Sequence, residues 1–146
     1  MAEYVEQGIG VGPQTVNAGS NVVLTDSIPC NKGLVIHRND SGILTLRGIT
    51  NNCSGFARYL VEYHGNIAVP TTGTAGKISL ALAISGEVVP ATIARATPTA
   101  TEAYFSVSSA RYVTVPKGCC YNIAIENNSD QAILVDNLNV IVTRVA

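Results

Sequence analysis

The fold is decided by one stretch of the sequence, Ile78-Ser79-Leu80-Ala81-Leu82-Ala83-Ile84. Large apolar residues take alternate positions in this stretch, and Ser or Ala fills the positions between them. A period of two residues is typical of a β-strand whose two faces meet different neighbours. Because no pattern of helical period persists between Val22 and Ala146, we expect an all-β protein.

Short apolar runs of the same kind recur along the chain, separated by Gly, Pro, Asn and Ser. The tetrapeptide Asn39-Asp40-Ser41-Gly42 is typical of a turn, so residues 34–38 and 43–47 are expected to pair as a hairpin. Prolines fall at the ends of the runs or between them, as expected because proline cannot donate a hydrogen bond within a sheet. The runs predict nine strands, at residues 21–27, 33–38, 42–48, 56–65, 77–85, 101–109, 112–115, 120–127 and 132–146.

The number and spacing of these strands indicate the architecture. A chain of 146 residues fits one domain, and an antiparallel domain with this many strands must pack two sheets together or close a barrel. The longer crossing loops favour an antiparallel jelly-roll β-sandwich, which we assign to residues 20–146. Residues 1–19 are interrupted by glycine and proline, and we expect them to form an extended N-terminal arm.

The composition narrows the classes of partner. Charged residues make up 13% of the chain, against about 25% in an average soluble protein, while 47% are hydrophobic. The net charge is only -1, so we expect partners to cover much of the apolar surface. The nine Lys and Arg residues are scattered singly, which argues against a nucleic-acid partner. The sequence has no apolar run of about 20 residues and does not begin like a signal peptide, so we expect no membrane partner.

The residue types that carry chemistry do not converge on a recognisable site. The chain has four cysteines, Cys30, Cys53, Cys119 and Cys120. They lack the paired spacing of a metal site, and we expect small buried thiols in a reducing compartment, with a Cys30–Cys53 bridge as the alternative. The sequence contains no Gly-x-Ser-x-Gly, His-Glu-x-x-His or P-loop pattern. We therefore expect a protein without enzymatic activity, metal ion or cofactor.

Several segments resemble the compact trimeric jelly rolls of the tumour necrosis factor (TNF) and complement type. This resemblance rests on residues 76–87, on residues 113–120 with Lys117-Gly118-Cys119-Cys120 at their end, and on the terminal residues 140–146. More closely, residues 36–49 and the same Lys117-Gly118-Cys119-Cys120 resemble small head-decoration and head-fibre proteins of tailed phages and prophages of gut bacteria. The likeness covers about residues 20–146. No Gly-x-y repeat of the collagen-tailed members precedes the domain.

The resemblance implies a threefold assembly in which one sheet of each subunit faces the axis. The low charge agrees with this expectation, because strands that are short of polar residues need cover on both faces. The alternative for the axis-facing candidates is that they fill the core of the sandwich. These candidates are Tyr59, Val61, Tyr63, Tyr121, Ile123 and Ile141.

The function that the resemblance implies is that of a non-enzymatic virion protein. We expect a homotrimer made in the cytoplasm of a bacterial host and displayed on a phage particle as a head decoration or fibre component. Its N-terminal arm would bind a capsid or fibre protein.

Two other functions remain open. A receptor- or carbohydrate-binding tip would contact a host glycan through residues 71–76 and 94–100, although the chain has no Trp and few aromatic residues in its loops. A bacterial surface or spore-coat domain of TNF-like fold is the other alternative.

Overall fold

The computed structural model describes residues 2–6, 12–28, 33–50, 53 and 55–146. Within these residues the chain forms twelve strands and one short 3-10 helix, Pro90–Thr92. The strands are β1 (Ala2–Glu6), β2 (Gln14–Val16), β3 (Asp26–Ile28), β4 (Val35–His37), β5 (Leu44–Arg47), β6 (Phe56–Ala68), β7 (Ile78–Ile84), β8 (Glu87–Val88), β9 (Ala94–Ala96), β10 (Phe105–Pro116), β11 (Cys120–Asn127) and β12 (Ile133–Arg144).

The strands form two antiparallel sheets. The first sheet has the order β10-β6-β12-β1-β3, and β2 also pairs with β12. The second sheet has the order β4-β5-β11-β7-β8, and β9 also pairs with β7. The apolar faces of both sheets contribute to one continuous core. The expected antiparallel jelly-roll β-sandwich is confirmed.

Strand β7 shows why the alternating stretch decides the fold. It occupies residues 78–84, and its large side chains at Ile78, Leu80 and Leu82 are buried in the core. Its small side chains are also buried, because β7 lies inside the second sheet between β11 and the short strands β8 and β9. The connection to β8 is a two-residue turn in which Ser85 and Gly86 both have positive φ, of 51° and 87°. A turn of this type matches the right-handed twist of the strands that it joins.

Most of the predicted strands are present, with changes at their ends. The expected hairpin is confirmed, because β4 pairs with β5 from Val35–Leu46 to His37–Leu44. The runs predicted at residues 101–109 and 112–115 are one strand, β10, which continues through Ala110 and Arg111. The run predicted at residues 21–27 is mostly irregular and ends in β3.

The N-terminal segment, expected to form an arm up to residue 19, instead contributes strands to the sandwich. Strand β1 pairs with β12 from Ala2–Thr143 to Glu6–Asn139, and also pairs with β3. Strand β2 pairs with β12 farther along the same edge. These two strands therefore belong to the first sheet and do not form a free arm. The sequence did not predict these two short strands, because glycine and proline interrupt the segment and the partner strand β12 lies at the other end of the chain.

Removing β1 is expected to destabilise the sandwich, since β12 would lose its hydrogen-bond partner along residues 139–143. We predict that deletion of residues 1–11 lowers the melting temperature by at least about 5 °C. Thermal unfolding followed by circular dichroism checks this result. An unchanged melting temperature would show that the segment contributes no stability and would restore its description as an arm.

A close backbone contact joins the end of β5 to the turn between β10 and β11. The backbone N–H of Gly48 donates to the carbonyl of Cys119 at 2.8 Å, and the N–H of Gly118 donates to the carbonyl of Gly48 at 3.0 Å. A Cβ atom on Gly48 would lie only 2.0 Å from the carbonyl oxygen of Pro116. Glycine is therefore required at position 48, because any side chain would push the chain apart here.

We predict that Gly48→Ala lowers the free energy of unfolding by about 1–3 kcal/mol or more, the range that is typical of overpacking. Gly55→Ala is the matched control, because a Cβ atom at Gly55 meets nothing within 4 Å. Urea unfolding of the two variants measures the difference. Equal losses in both variants would contradict the steric explanation.

Candidate functional site

Two tyrosines of β6 cross the sandwich from the first sheet to the second. The hydroxyl of Tyr59 donates to the carbonyl of Arg47 at 2.5 Å and lies 3.2 Å from that of Leu34. The hydroxyl of Tyr63 donates to the carbonyl of Thr92 at 2.5 Å and lies 3.1 Å from that of Leu80. Each buried phenol thus satisfies its polar atom within the same chain.

Burial also keeps these two phenols protonated. Desolvation raises the pKa of Tyr63 above the ordinary value for a phenol, and it raises the pKa of Tyr59 in the same direction. The guanidinium of Arg144 opposes this increase at Tyr59, because it lies 5.4 Å from the centre of the ring and favours the charged form. Both hydroxyls therefore act as hydrogen-bond donors to the backbone.

The structure places the six expected axis-facing residues in different positions. Tyr59, Val61, Tyr63 and Ile123 have 2% or less of their surface exposed in the single chain. These four fill the sandwich, which is the alternative that the sequence left open, and they offer no surface to a neighbouring subunit. Tyr121 is half-buried and packs against the same core. Of the six, Ile141 alone lies on the outer face of the first sheet, where it pairs with the exposed Glu62.

The outer face of the first sheet is built by β10, β6 and β12. In the register of these strands, Tyr112 is opposite Leu60, which is opposite Thr143. The next rows along the sheet are Ala110, Glu62 and Ile141, and then Ser108, His64 and Asn139. We call these nine residues the first-sheet face. The face contains a groove of about 370 Å³, lined in part by Glu62, His64, Ala110 and Ile141.

The apolar residues of the first-sheet face lie toward one end of it. The side chain of Tyr112 is 59% exposed, which is more than that of any other large hydrophobic residue in the described part of the chain. Leu60 and Ile141 are half-buried beside it. Strand β10, which carries Tyr112, forms an edge of the sheet over its twelve residues. A long edge strand with exposed aromatic side chains is a surface on which another chain can pack.

The outer face of the second sheet differs from the first-sheet face in its side chains. Its centre consists of small residues such as Ala83 and Ala124, beside a cavity of about 290 Å³. Its larger apolar residues, Ile36 and Ile43, are exposed near β4 and β5. A third cavity, of about 580 Å³, lies at the edge of the sandwich, where Glu87, Pro90, Arg111 and Tyr121 are among its lining residues.

The loops expected to contact a glycan do not line any of these three cavities. Residues 71–76 form a loop that is held by the side chain of Gln131, which accepts from the N–H of Thr74 and donates to its carbonyl. Residues 94–100 begin with β9, which pairs with β7. The second segment is therefore a strand in its first half and a loop only after Ala96.

The exposure of the cysteines differs from the prediction of buried thiols. Cys53, Cys119 and Cys120 are exposed free thiols, where we expected buried ones. Cys30 lies outside the described residues, and so does the alternative of a Cys30–Cys53 bridge. Within the described part of the chain, no group of three or more His, Cys, Asp or Glu residues could hold a metal ion. Nor does this part contain a helix that is long and apolar enough to cross a membrane.

Comparisons with known proteins show the fold. No family model and no curated protein matches the sequence. Among solved structures, murine APRIL at pH 5.0 is similar, with a TM-score of 0.63 and 11% identity over 97% of this chain and 98% of that chain. Eiger TNF from S. frugiperda has a TM-score of 0.63 and 13% identity, covering 100% and 92% of the two chains. The globular domain of zebrafish complement 1qA protein has a TM-score of 0.57 and 13% identity, covering 97% and 92%.

These similarities concern the fold alone, because the identities are low. They agree with the sandwich described above. The chain has a TNF-like jelly-roll fold.

We predict that Tyr63→Phe lowers the free energy of unfolding by about 1–3 kcal/mol, because it leaves a buried carbonyl without its donor. Tyr104→Phe removes the same hydroxyl from a side chain that is 42% exposed and is expected to change stability by less than about 0.5 kcal/mol. Chemical denaturation of both variants checks the difference. A Tyr63→Phe variant as stable as Tyr104→Phe would mean that the phenol does not hold the sheets together.

Proposed function

We propose that this chain is a non-enzymatic structural protein that assembles as a homotrimer through the first-sheet face and is displayed on a phage particle. The observation that carries the proposal is the exposed apolar surface of Tyr112, beside Leu60 and Ile141, on a sheet whose opposite face is fully occupied by the core. Head decoration and fibre component are the two roles that we propose for it on the particle.

The first-sheet face is better suited to association than the outer face of the second sheet. It offers an aromatic ring and two branched aliphatic side chains close together, and such residues are enriched at the centres of interfaces. The second sheet presents mainly small side chains at its centre, which bury little apolar area when they are covered. The low fraction of charged residues in the whole chain supports an interface that stays covered.

Threefold symmetry is supported by the resemblance of the sequence to trimeric jelly rolls and by the observed TNF-like fold. Glu62 and His64 lie on the same face, and their polar side chains would meet those of neighbouring copies in the assembly. We expect these groups to pair across subunits, because isolated charges are costly to bury.

The role on a phage particle is supported by the resemblance of residues 36–49 and 117–120 to small phage head proteins. Attachment through a free arm is less suitable than first expected, since β1 and β2 are part of the sheet. We propose that the folded domain docks directly on a capsid or fibre protein. Mass spectrometry of purified particles from the host tests this role, and absence of the chain from the particles would favour a bacterial surface or spore-coat domain.

A glycan-binding tip is the second candidate function. The cavity at the edge of the sandwich brings the ring of Tyr121 near the polar side chains of Glu87 and Arg111, a combination that can bind sugars. The half-buried ring packs against the core, so it offers a smaller stacking surface than an exposed aromatic platform would. We therefore rank this function below the structural one.

We predict that the wild-type protein sediments at micromolar concentration with three times its chain mass of 15.2 kDa. Tyr112→Glu places one carboxylate per subunit in the proposed interface and is expected to give monomers or to lower the melting temperature strongly. Ile36→Glu is the matched control, because Ile36 is 46% exposed on the second sheet, and this variant should remain a trimer.

The outcomes of sedimentation separate the two parts of the proposal. A well-folded wild-type monomer would contradict the trimer. A trimeric Tyr112→Glu variant together with a dissociated Ile36→Glu variant would place the interface on the second sheet.

A further inference from the structure

One side of β10 is not paired with another strand of the described chain. Strand β10 pairs with β6 and lies at the end of the first sheet. In an antiparallel pair, residues alternate between those that direct their N–H and C=O to the partner strand and those that direct them away from it. Every second residue of β10 therefore turns its backbone groups toward the open edge of the sheet.

Contacts of β6 with the end of the chain identify these residues. The N–H of Arg58 donates to the carbonyl of Ala146 at 3.1 Å, and its carbonyl accepts from the N–H of Val145 at 2.9 Å. Because Arg58 directs both groups away from β10, its neighbour Tyr59 directs both toward β10, where it is opposite Val113. The register of β6 and β10 is continuous, so this alternation extends along the whole strand. The residues that direct their backbone groups to the open edge are Ser106, Ser108, Ala110, Tyr112 and Thr114.

Two observations support an open edge. All five of these residues are exposed. Beyond the end of β10, the N–H of Lys117 donates to the carbonyl of Gly55 at 3.0 Å, so the same alternation places Lys117 on the β6 side, as it does Val113. The edge is therefore accessible, and its N–H and C=O groups have the spacing that a further strand requires.

The side chain of Arg111 extends along this edge. Its Nε donates at 3.3 Å to the carbonyl of Tyr112, which is one of the groups that β10 directs to the open side. A charged side chain at an edge hinders pairing with other strands. Arg111 therefore repels a strand with a basic residue at this position and admits one with an acidic residue.

A cavity of about 580 Å³ opens on the core side of the same edge. Arg111 is opposite the buried Val61, so its side chain begins on this side of β10. The opposite wall includes the apolar side chains of Val88 and Pro90, together with the carboxylate of Glu87. A strand added to β10 would direct every second side chain toward this cavity.

We propose that the open edge of β10 binds an extended segment of a partner protein as an additional antiparallel strand. The segment carries an acidic residue opposite Arg111, apolar residues two positions to either side of it, and small polar residues between them. Main-chain hydrogen bonds to the edge provide the affinity, and the cavity selects the side chains. The proposal requires neither the trimer nor the role on a phage particle.

The positions of this segment follow from the groups that they meet. A carboxylate opposite Arg111 forms a cross-strand ion pair and draws the guanidinium away from the carbonyl of Tyr112, which then accepts an N–H of the segment. The flanking apolar residues cover Val88 and Pro90, and Glu87 disfavours further carboxylates there. The intervening residues point to the opposite side, away from the cavity.

Amide hydrogen exchange of the full chain, followed by NMR, tests whether the edge is open. We expect the amides of Ser108, Ala110 and Tyr112 to exchange at least about tenfold faster than those of Ser109 and Arg111, which are bonded to β6. Equal protection of all five amides would show that a second copy or another segment already occupies the edge, and it would overturn the proposal.

The binding probe is the acetylated and amidated peptide Thr-Val-Thr-Glu-Thr-Val-Thr, labelled for fluorescence anisotropy. We expect saturable binding with a Kd at or below about 1 mM, weakened about 2–5-fold when Lys replaces its Glu. N-methylation of the two Thr residues that flank Glu should abolish binding, because their N–H groups face β10. N-methylation of the two Val residues should retain it, because their N–H groups face away.

Variants of the protein test the same edge. Ala110→Pro removes an N–H that β6 does not use and places the proline ring in the path of the added strand, while Ala110→Ser is the matched control that keeps the N–H. We expect Ala110→Pro to weaken binding at least about tenfold and Ala110→Ser to leave it unchanged. Arg111→Gln should remove the preference for Glu over Lys in the peptide.

Ser108→Pro is the second variant, since the N–H of Ser108 also faces the open edge. If both proline variants fail to fold, these N–H groups are needed within the subunit and the proposal is wrong. Absence of binding by the wild type, or equal affinities of Ala110→Pro and Ala110→Ser, would also overturn it.

Discussion

The hydroxyls of Tyr59 and Tyr63 link the two sheets of the sandwich by hydrogen bonds that cross the apolar core. Both side chains come from β6, and both donate across the core to backbone carbonyls that the second sheet and its connections supply. A buried hydroxyl is costly unless it is hydrogen-bonded, so these two bonds fix which face of β6 points inward. The side chains on the opposite face of β6, Leu60, Glu62 and His64, are consequently left on the outside of the subunit.

The alternating pattern predicted the strands well but not the use of their faces. The pattern of β6 showed that Tyr59, Val61 and Tyr63 share one face, and the structure confirms this division. Alternation alone cannot distinguish a face that fills the core from one that meets another subunit, because both are apolar. The carbonyl that Tyr63 binds belongs to Thr92, which is 29 residues away, and no local pattern indicates that contact.

The first-sheet face could not be predicted from the sequence, for a related reason. Its main residue, Tyr112, lies on a strand that the sequence divided in two, because Ala110 and Arg111 separate its apolar positions. Tyr112 lies opposite Leu60 only in the register of the continuous β10. A continuous alternation of apolar and polar residues over residues 106–114 would have predicted one strand, but the sequence does not alternate in this way. The N-terminal strand could not be predicted either, because β1 pairs with β12, which lies at the opposite end of the chain.

The most direct test of this account is an experimental structure of the assembled protein at a resolution that shows side chains. The account predicts that neighbouring subunits cover Tyr112, Leu60 and Ile141, while the hydroxyl of Tyr63 remains bound to Thr92 of its own subunit. Subunits that meet through the second sheet, or a Tyr63 ring in contact with a neighbouring chain, would contradict it.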